Sequence, residues 1–153
     1  MRNLRYELEL PGVTQRELFL FHEDPSALPR LSPPEKHVKV IEQPKVMKAG
    51  ARVIFSVSPF GVPIRWVARM ETWEPPVRFV DVQEEGPFAS WRHEHVFADG
   101  LLVDLVSYAP PLRFLGGGLV DALFVKRDVE ALFRFRHRET RTFFASRRVE
   151  EGG

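Results

Sequence analysis

Cysteine is absent from the 153 residues of the chain, which excludes disulfide bonds and leaves histidine and carboxylate side chains as the available metal ligands. The chain also lacks an excess of charge of either sign. Its formal net charge is +1, so no overall field attracts nucleic acid or an anionic membrane. No stretch approaches the roughly 20 apolar residues of a membrane-spanning helix, and the opening residues lack the apolar core of a signal peptide. We therefore expect a cytoplasmic protein with no nucleic-acid partner and no integral membrane association.

Aromatic and apolar residues are abundant: the chain has 13 Phe and 3 Trp, and 44% of its residues are hydrophobic. A chain of this length and composition can bury a core as one unit. We predict a single domain over residues 1–148, followed by a frayed tail over 149–153. The composition leaves the oligomeric state open, a homo-oligomer included.

A β-hairpin is predicted where two alternating stretches meet at Asp99-Gly100, because this dipeptide is typical of two-residue hairpin turns. Such a turn fixes the register, and it places His95 opposite Asp104. One face of the hairpin then carries Trp91, His93, His95, Phe97, Leu102, Asp104, Val106 and Tyr108. Because buried polar groups are costly unless paired, imidazoles and a carboxylate among aromatic rings indicate a lined cavity.

The strand before the hairpin adds polar residues to the same face. We place its residues so that Asp81 pairs with Trp91 and Phe79 with His93, which brings Asp81 and Gln83 onto the lined face.

Capping signals and periodicity predict three helices. Thr14 with Glu17 forms a capping box for a first short helix, and Asp24-Pro25 is typical of the start of a second. A long helix is predicted from Leu119 to about Ser146, after the glycine hinge at 116–118. Its basic residues are expected to form a solvated face.

The remaining segments alternate with a period of two and predict strands at 4–10, 37–43, 51–60, 62–73 and 77–83, besides the two strands of the hairpin. An α+β architecture buries every apolar face of these strands and helices. In it, a curved seven-stranded antiparallel sheet wraps round the long C-terminal helix, with two short helices after strand 1.

This element order and one run of residues resemble the SRPBCC superfamily. The run reads D-x-Q-x-x-G-P-F-x-x-W-x-H-x-H-x-F from Asp81 to Phe97, and the similarity covers residues from about 4 to 146. The superfamily has the helix-grip fold of START lipid-transfer domains, the birch pollen major allergen and polyketide cyclases. The chain is most similar to its bacterial cyclase/dehydrase-like ligand-binding proteins. The resemblance implies binding of a hydrophobic ligand, and it transfers no catalytic signature.

The residues expected to line a ligand site between sheet and helix are Trp66, Phe79, Asp81, Gln83, Trp91, His93, His95, Asp104, Tyr108 and Arg136. The aromatic side chains would stack on a planar or acyl ligand, or would pack as ordinary core. Arg136 would pair with an inward carboxylate, clamp an anionic ligand group, or lie at the helix margin.

The candidate catalytic residues are His95 and Asp104. A carboxylate opposite an imidazole can orient a general base, whereas a self-satisfied pair would only fix the strand register. His93 and His95 form His-x-His, and metal binding would need a third ligand from Asp81 or Asp104. Because His-x-His alone is a weak signal, we predict neither a metal nor another cofactor. His22, His37 and His137 are expected at the surface or at helix ends.

Three functions therefore stay open. The first is binding of a small hydrophobic or aromatic, lipid- or polyketide-like ligand. The second is a cyclase or dehydratase that uses the His95–Asp104 pair. The third is a docking module with a collapsed interior and an exposed apolar patch.

Overall fold

The computed structural model describes residues 1–58, 61–111 and 119–152, and in the last segment the side chains of Leu123–Arg148 and Glu150. The seven strands are β1 (Arg2–Glu9), β2 (Lys39–Glu42), β3 (Arg52–Val57), β4 (Ile64–Glu74), β5 (Arg78–Glu85), β6 (Ser90–Ala98) and β7 (Leu101–Ala109). The two α-helices are α1 (Gln15–Glu23) and α2 (Leu119–Gly152), and single 3₁₀ turns follow α1 at Pro25–Ala27 and Pro34–Lys36.

The strands form one antiparallel sheet in the order β1-β7-β6-β5-β4-β3-β2. The predicted register of the β6–β7 hairpin is confirmed, with His95 opposite Asp104 and Trp91 opposite Tyr108. Gly100 has a φ of 71°, and its N–H donates to the carbonyl of Val13 at 2.7 Å. The hairpin tip is therefore tied to the segment that enters α1.

The capping predictions are confirmed. The Thr14 hydroxyl accepts from the Glu17 N–H, and the Glu17 carboxylate accepts from the Thr14 N–H. Asp24 caps the following turn by accepting from the Ser26 N–H, but this second helix is only a single 3₁₀ turn. Since Pro29 and the Pro33-Pro34 pair follow closely, no longer helix can form there.

Two apolar clusters pack between the sheet and the helices. The first packs α1 and the end of α2 against the sheet and consists of Leu8, Leu10, Val13, Leu18, Phe19, Val53, Met70, Phe79, Phe97, Leu102 and Phe144. The second packs the first half of α2 and consists of Trp91, Val106, Tyr108, Val125, Val129 and Phe133. Along β6, His93 and His95 lie between Trp91 of one cluster and Phe97 of the other. A polar band therefore crosses the sheet between two apolar regions.

Two sequence predictions need correction. Asp81 lies opposite His93, and Phe79 opposite His95, so the β5–β6 register differs by two residues from the predicted one. A shift of two keeps every side chain on its face, and Asp81 still points inward. Helix α2 continues past Ser146 to Gly152. The glycine hinge at 116–118 lies outside the described residues.

Candidate functional site

A cavity of about 290 Å³ lies between the concave face of the sheet and α2. Eight of the ten predicted ligand-site residues line it: Trp66, Phe79, Asp81, Trp91, His93, His95, Asp104 and Arg136. The walls are mostly apolar, with further lining from residues such as Leu31, Val53 and Val129. The polar band is therefore a stripe on a mostly hydrophobic surface.

Gln83 and Tyr108 do not line the cavity. The Gln83 side chain closes the β5–β6 turn, since its Nε2 donates to the Phe88 carbonyl at 2.8 Å and its Oε1 accepts from the Phe88 N–H at 3.1 Å. It also lies over Gly86, where a Cβ would be 2.6 Å from Oε1. Tyr108 is fully buried in the second apolar cluster. Both residues stabilise the site from behind and do not face it.

The imidazoles and carboxylates are paired diagonally across strands. Nε2 of His95 is 2.8 Å from Oδ2 of Asp81, and Nε2 of His93 is 2.7 Å from Oδ1 of Asp104. The predicted pairing of His95 with Asp104 is therefore wrong. Nδ1 of His95 is 3.9 Å from that carboxylate, which is too far for a hydrogen bond. His95 and Asp104 lie opposite each other in the β6–β7 register, but they do not bind each other. His95 binds Asp81 of β5, and Asp104 binds His93 of β6.

His137 is a member of this network and was not expected there. Its Nε2 is 2.7 Å from Oδ2 of Asp104, so one carboxylate accepts hydrogen bonds from the sheet and from α2. The signal for it was present in the sequence, because His137 follows Phe133 by one helical turn on the buried stripe. His22 is also placed internally: its Nδ1 is 2.8 Å from the Leu18 carbonyl, and it lines the cavity. His37 is exposed, as expected.

The network keeps its carboxylates ionised. Burial alone would raise the pKa of Asp104, but hydrogen bonds from His137 and His93 outweigh burial and hold that pKa well below its usual range. Burial also tends to raise the pKa of Asp81. The hydrogen bond from His95 and the nearby His93 outweigh burial, so the pKa of Asp81 is lowered as well. Burial, followed by the proximity of His93, lowers the pKa of His95 to about 4. At neutral pH the site therefore contains two carboxylates and a neutral His95.

Arg136 extends the polar band onto α2. Its Nε donates to the Leu31 carbonyl at 3.1 Å, and its guanidinium lies 5.4 Å from the centroid of the Phe133 ring. Burial lowers its pKa, and the charges of Asp104 and Asp81 act in the opposite direction. No direct ion pair with either carboxylate forms among the described residues, so Arg136 balances them at longer range from the cavity wall.

Trp73 is a lining residue that the sequence pattern did not indicate. Strand β4 has an irregularity between Met70 and Thr72, beyond which Trp73 lies opposite Phe79. The bulge changes the face on which odd-numbered residues lie, so Trp73 joins Trp66 and Met70 on the inner side. All three tryptophans of the chain consequently line the cavity.

The basic side chains of α2 are mostly exposed, as expected for a solvated face; the exposed ones are Arg127, Arg134, Arg138, Arg141, Arg147 and Arg148. Across the described parts of the chain, no helix is long and apolar enough to cross a membrane.

No protein-family model matches the chain, and no curated protein sequence matches it. Solved structures do resemble it. The aromatase/cyclase Zhui from Streptomyces sp. R1128 superposes with a TM-score of 0.70 at 16% identity, covering 99% of this chain and 98% of that one. The protein TTHA0849 from Thermus thermophilus gives 0.68 at 20% identity, covering 90% and 96%.

The major latex-like protein 151 of Panax ginseng gives a TM-score of 0.62 at 13% identity, covering 93% of this chain and 96% of that one. Similarity at these identities shows the architecture and does not transfer an activity. The chain therefore has the helix-grip fold that its resemblance to the SRPBCC superfamily predicted.

Proposed function

We propose that the protein binds a small ligand with an apolar or aromatic body and one polar group, in the cavity between the sheet and α2. The observation that supports this most directly is the lining: one polar band on a hydrophobic wall. Ligand sites commonly combine apolar walls with a few convergent polar groups that fix orientation. A core built only for stability would not retain a band of ionisable side chains next to an unfilled volume.

The volume limits the size of the ligand. Ligand pockets measure roughly 300–1,000 Å³, and this cavity of about 290 Å³ is at the lower end of that range. A ring system of one or two fused rings, or a short acyl chain, suits it better than a long lipid. Trp66 and Trp91 provide faces for stacking, and their rings already lie 5.5 Å apart at 86°.

The polar band determines which polar groups a bound ligand can carry. The carboxylates at Asp81 and Asp104 would repel a bare anion, whereas a hydroxyl or phenol can donate to them. Arg136 offers a guanidinium on the cavity wall formed by α2, which suits a ketone oxygen. A lipid- or polyketide-like molecule with hydroxyl and keto groups satisfies both sides.

Tryptophan fluorescence tests the proposal, because all three tryptophans line the cavity. We expect naphthol to quench their emission in a saturable titration with one binding site, and to raise the thermal unfolding midpoint. The same titration on His37→Asn, which changes an exposed histidine, should be unaltered. If naphthol and a panel of short fatty alcohols and polyketide analogues neither quench the emission nor stabilise the protein, the binding proposal is wrong.

Catalysis on a bound ligand is the second candidate. It is favoured by histidines held by carboxylates on a cavity wall, the arrangement that orients a general base. It is also favoured by the fold shared with an aromatase/cyclase. A cyclase or dehydratase of this kind would remove one water from a β-hydroxy ketone, which mass spectrometry detects directly.

We expect such turnover to be lost in His95→Gln while naphthol binding and the thermal midpoint are largely kept. A purely structural pair would instead lower stability without a change in any product. Absence of product for every bound β-hydroxy ketone would eliminate this candidate and leave the binding proposal intact.

A further inference from the structure

We infer that Asp81, His93 and His95 form a binding site for one divalent transition metal ion on the cavity wall. The inference is independent of the proposed ligand. It revises the expectation that His-x-His is too little for a metal, because the structure supplies a third ligand that the sequence left open.

The three side chains meet at one point. Each offers one ligand atom, and these atoms all lie within 4.8 Å of one another. Oδ2 of Asp81 is 2.8 Å from Nε2 of His95 and 3.8 Å from Nδ1 of His93. Zinc is bound at about 2.0–2.1 Å by nitrogen, which places tetrahedral ligand atoms roughly 3.4 Å apart. Small side-chain rotations therefore suffice to enclose an ion.

Asp104 prepares His93 for this role. Oδ1 of Asp104 is 2.7 Å from Nε2 of His93, so Nε2 carries the proton and Nδ1 presents its lone pair towards Asp81. Oδ2 of the same carboxylate is held by His137 at 2.7 Å, which fixes its position. A carboxylate behind a histidine is the usual outer partner of a metal ligand, since it sets the tautomer and raises the basicity of the imidazole.

His95 supplies an independent observation. Its Nδ1 is buried without a hydrogen-bond partner, and the residue is only 8% exposed. With the proton on Nε2 towards Asp81, Nδ1 presents a lone pair to Oδ1 of Asp104 at 3.9 Å, so two acceptors face each other. If Nε2 binds the ion, the proton lies on Nδ1 and faces that carboxylate as a donor. Metal binding would thus replace a contact between two acceptors by one between a donor and an acceptor at the buried Nδ1 of His95.

The charge of the site favours a cation. Asp81 and Asp104 contribute two negative charges, and Arg136 contributes one positive charge to the same wall. A divalent ion would offset the remaining negative charge in a region of low dielectric. Two imidazoles and one carboxylate suit zinc and related first-row ions better than calcium or magnesium, which prefer all-oxygen ligands. The open coordination positions would face the cavity.

Isothermal titration of the EDTA-treated protein with Zn²⁺ tests the inference. We expect one equivalent to bind with a micromolar or lower Kd, and Co²⁺ to give the visible absorption of a low-coordinate site with nitrogen ligands. Asp81→Asn and His95→Gln should each weaken binding at least about 10-fold, and Asp104→Asn should weaken it less, because it only positions His93. His37→Asn is the matched control and should bind as the parent does.

Circular dichroism and thermal unfolding of each variant establish that it is folded before its binding is compared. The inference is overturned if the parent binds neither Zn²⁺ nor Co²⁺ below millimolar concentration. It is equally overturned if folded Asp81→Asn and His95→Gln bind Zn²⁺ as tightly as the parent, which would locate binding elsewhere. Naphthol binding by the metal-free protein would persist in either case, so the two proposals fail separately.

Discussion

At the scale of single residues, Asp104 is the carboxylate on which the buried network depends, because its two oxygens accept from two different imidazoles. Oδ1 accepts from His93 on the neighbouring strand, and Oδ2 accepts from His137 on α2. The residue is only 4% exposed, so water cannot replace either partner. Its loss would leave the buried N–H of His93 and the part-buried N–H of His137 without an acceptor, which is more costly than the loss of a surface pair.

We predict that Asp104→Asn lowers the free energy of unfolding by about 2–4 kcal/mol, because the amide can accept only one of the two hydrogen bonds and has no charge. Urea denaturation measures the change. Asp24→Asn is the control, since asparagine caps a helical turn as well as aspartate does and should change stability little. A loss below about 0.5 kcal/mol for Asp104→Asn would contradict this account.

The histidines predict how stability depends on pH. Burial lowers the pKa of His22 from 6.5 to about 4, and the pKa of His95 is lowered to about 4 as well. Between pH 4 and pH 6.5 the unfolded chain therefore binds more protons at these two histidines than the folded chain does. The free energy of unfolding should therefore be constant just above pH 6.5 and fall as the pH is lowered towards 4.

His22→Phe should flatten this dependence, because phenylalanine cannot titrate; the share of His22 is at most about 3 kcal/mol. Urea midpoints measured from pH 7 to pH 4 give the slope. His37→Asn is the control for the loss of an exposed histidine, and asparagine tolerates the φ of 47° at this position. A parent protein whose midpoint rises as the pH falls through this window would refute the assignment.

At the scale of secondary-structure elements, the β6–β7 hairpin sets the geometry of the site through its two-residue turn. The turn determines which residues share the inner face, and the chain then makes contacts that reinforce it. The Gly100 carbonyl accepts from the Leu10 N–H at 2.8 Å, and the Asp99 carboxylate accepts from the Gln15 N–H at 2.9 Å. The hairpin tip therefore also anchors the start of α1.

Gly100→Ala should lower the free energy of unfolding by about 1–2 kcal/mol, because a φ of 71° is unfavourable for an L-residue with a Cβ. The added methyl group itself meets no clash, since the nearest atom, the Leu10 carbonyl oxygen, is 3.5 Å away. Gly100→Asn should cost less, as asparagine visits this region more readily. Chemical denaturation of the two variants measures both losses of stability. If Gly100→Asn loses as much free energy of unfolding as Gly100→Ala or more, steric contact, and not the backbone angle, dominates.

The same hairpin shows what a sequence can predict and where it fails. Asp99-Gly100 allowed each cross-strand pair to be assigned, because a short turn admits few registers. The turn between β5 and β6 is longer, and there the assigned register was wrong by two residues. Hydrogen-bond partners are harder to predict than the register. His95 lies opposite Asp104 in the β6–β7 register, but its hydrogen-bond partner is Asp81 of β5. The helical spacing puts His137 on the buried stripe one turn after Phe133, but it does not show that His137 meets Asp104, because tertiary packing sets the rotation of α2 over the sheet.

At the scale of the whole molecule, the sheet and α2 are held apart by two apolar clusters, and the cavity lies in the interval between them. Among the large aromatic side chains on the sheet side of this interval, a few side chains are short and leave space. Ala68 on β4 is one of them: it is 6% exposed and lines the cavity. Ligand capacity is therefore a property of the packing of the two layers, and a single larger side chain should remove it.

Ala68→Leu should fill part of the 290 Å³ volume, keep or raise the thermal unfolding midpoint, and abolish quenching of tryptophan emission by naphthol. Cavity-filling substitutions commonly add about 0.5–2 kcal/mol of stability, whereas an enlarged side chain in a close-packed core costs about 1–3 kcal/mol. The sign of the stability change thus reports whether the volume is empty in solution. Ala145→Leu, at an exposed position of α2, is the control for added hydrophobic surface. A destabilised Ala68→Leu that still binds naphthol would show that the ligand does not occupy the space beneath α2.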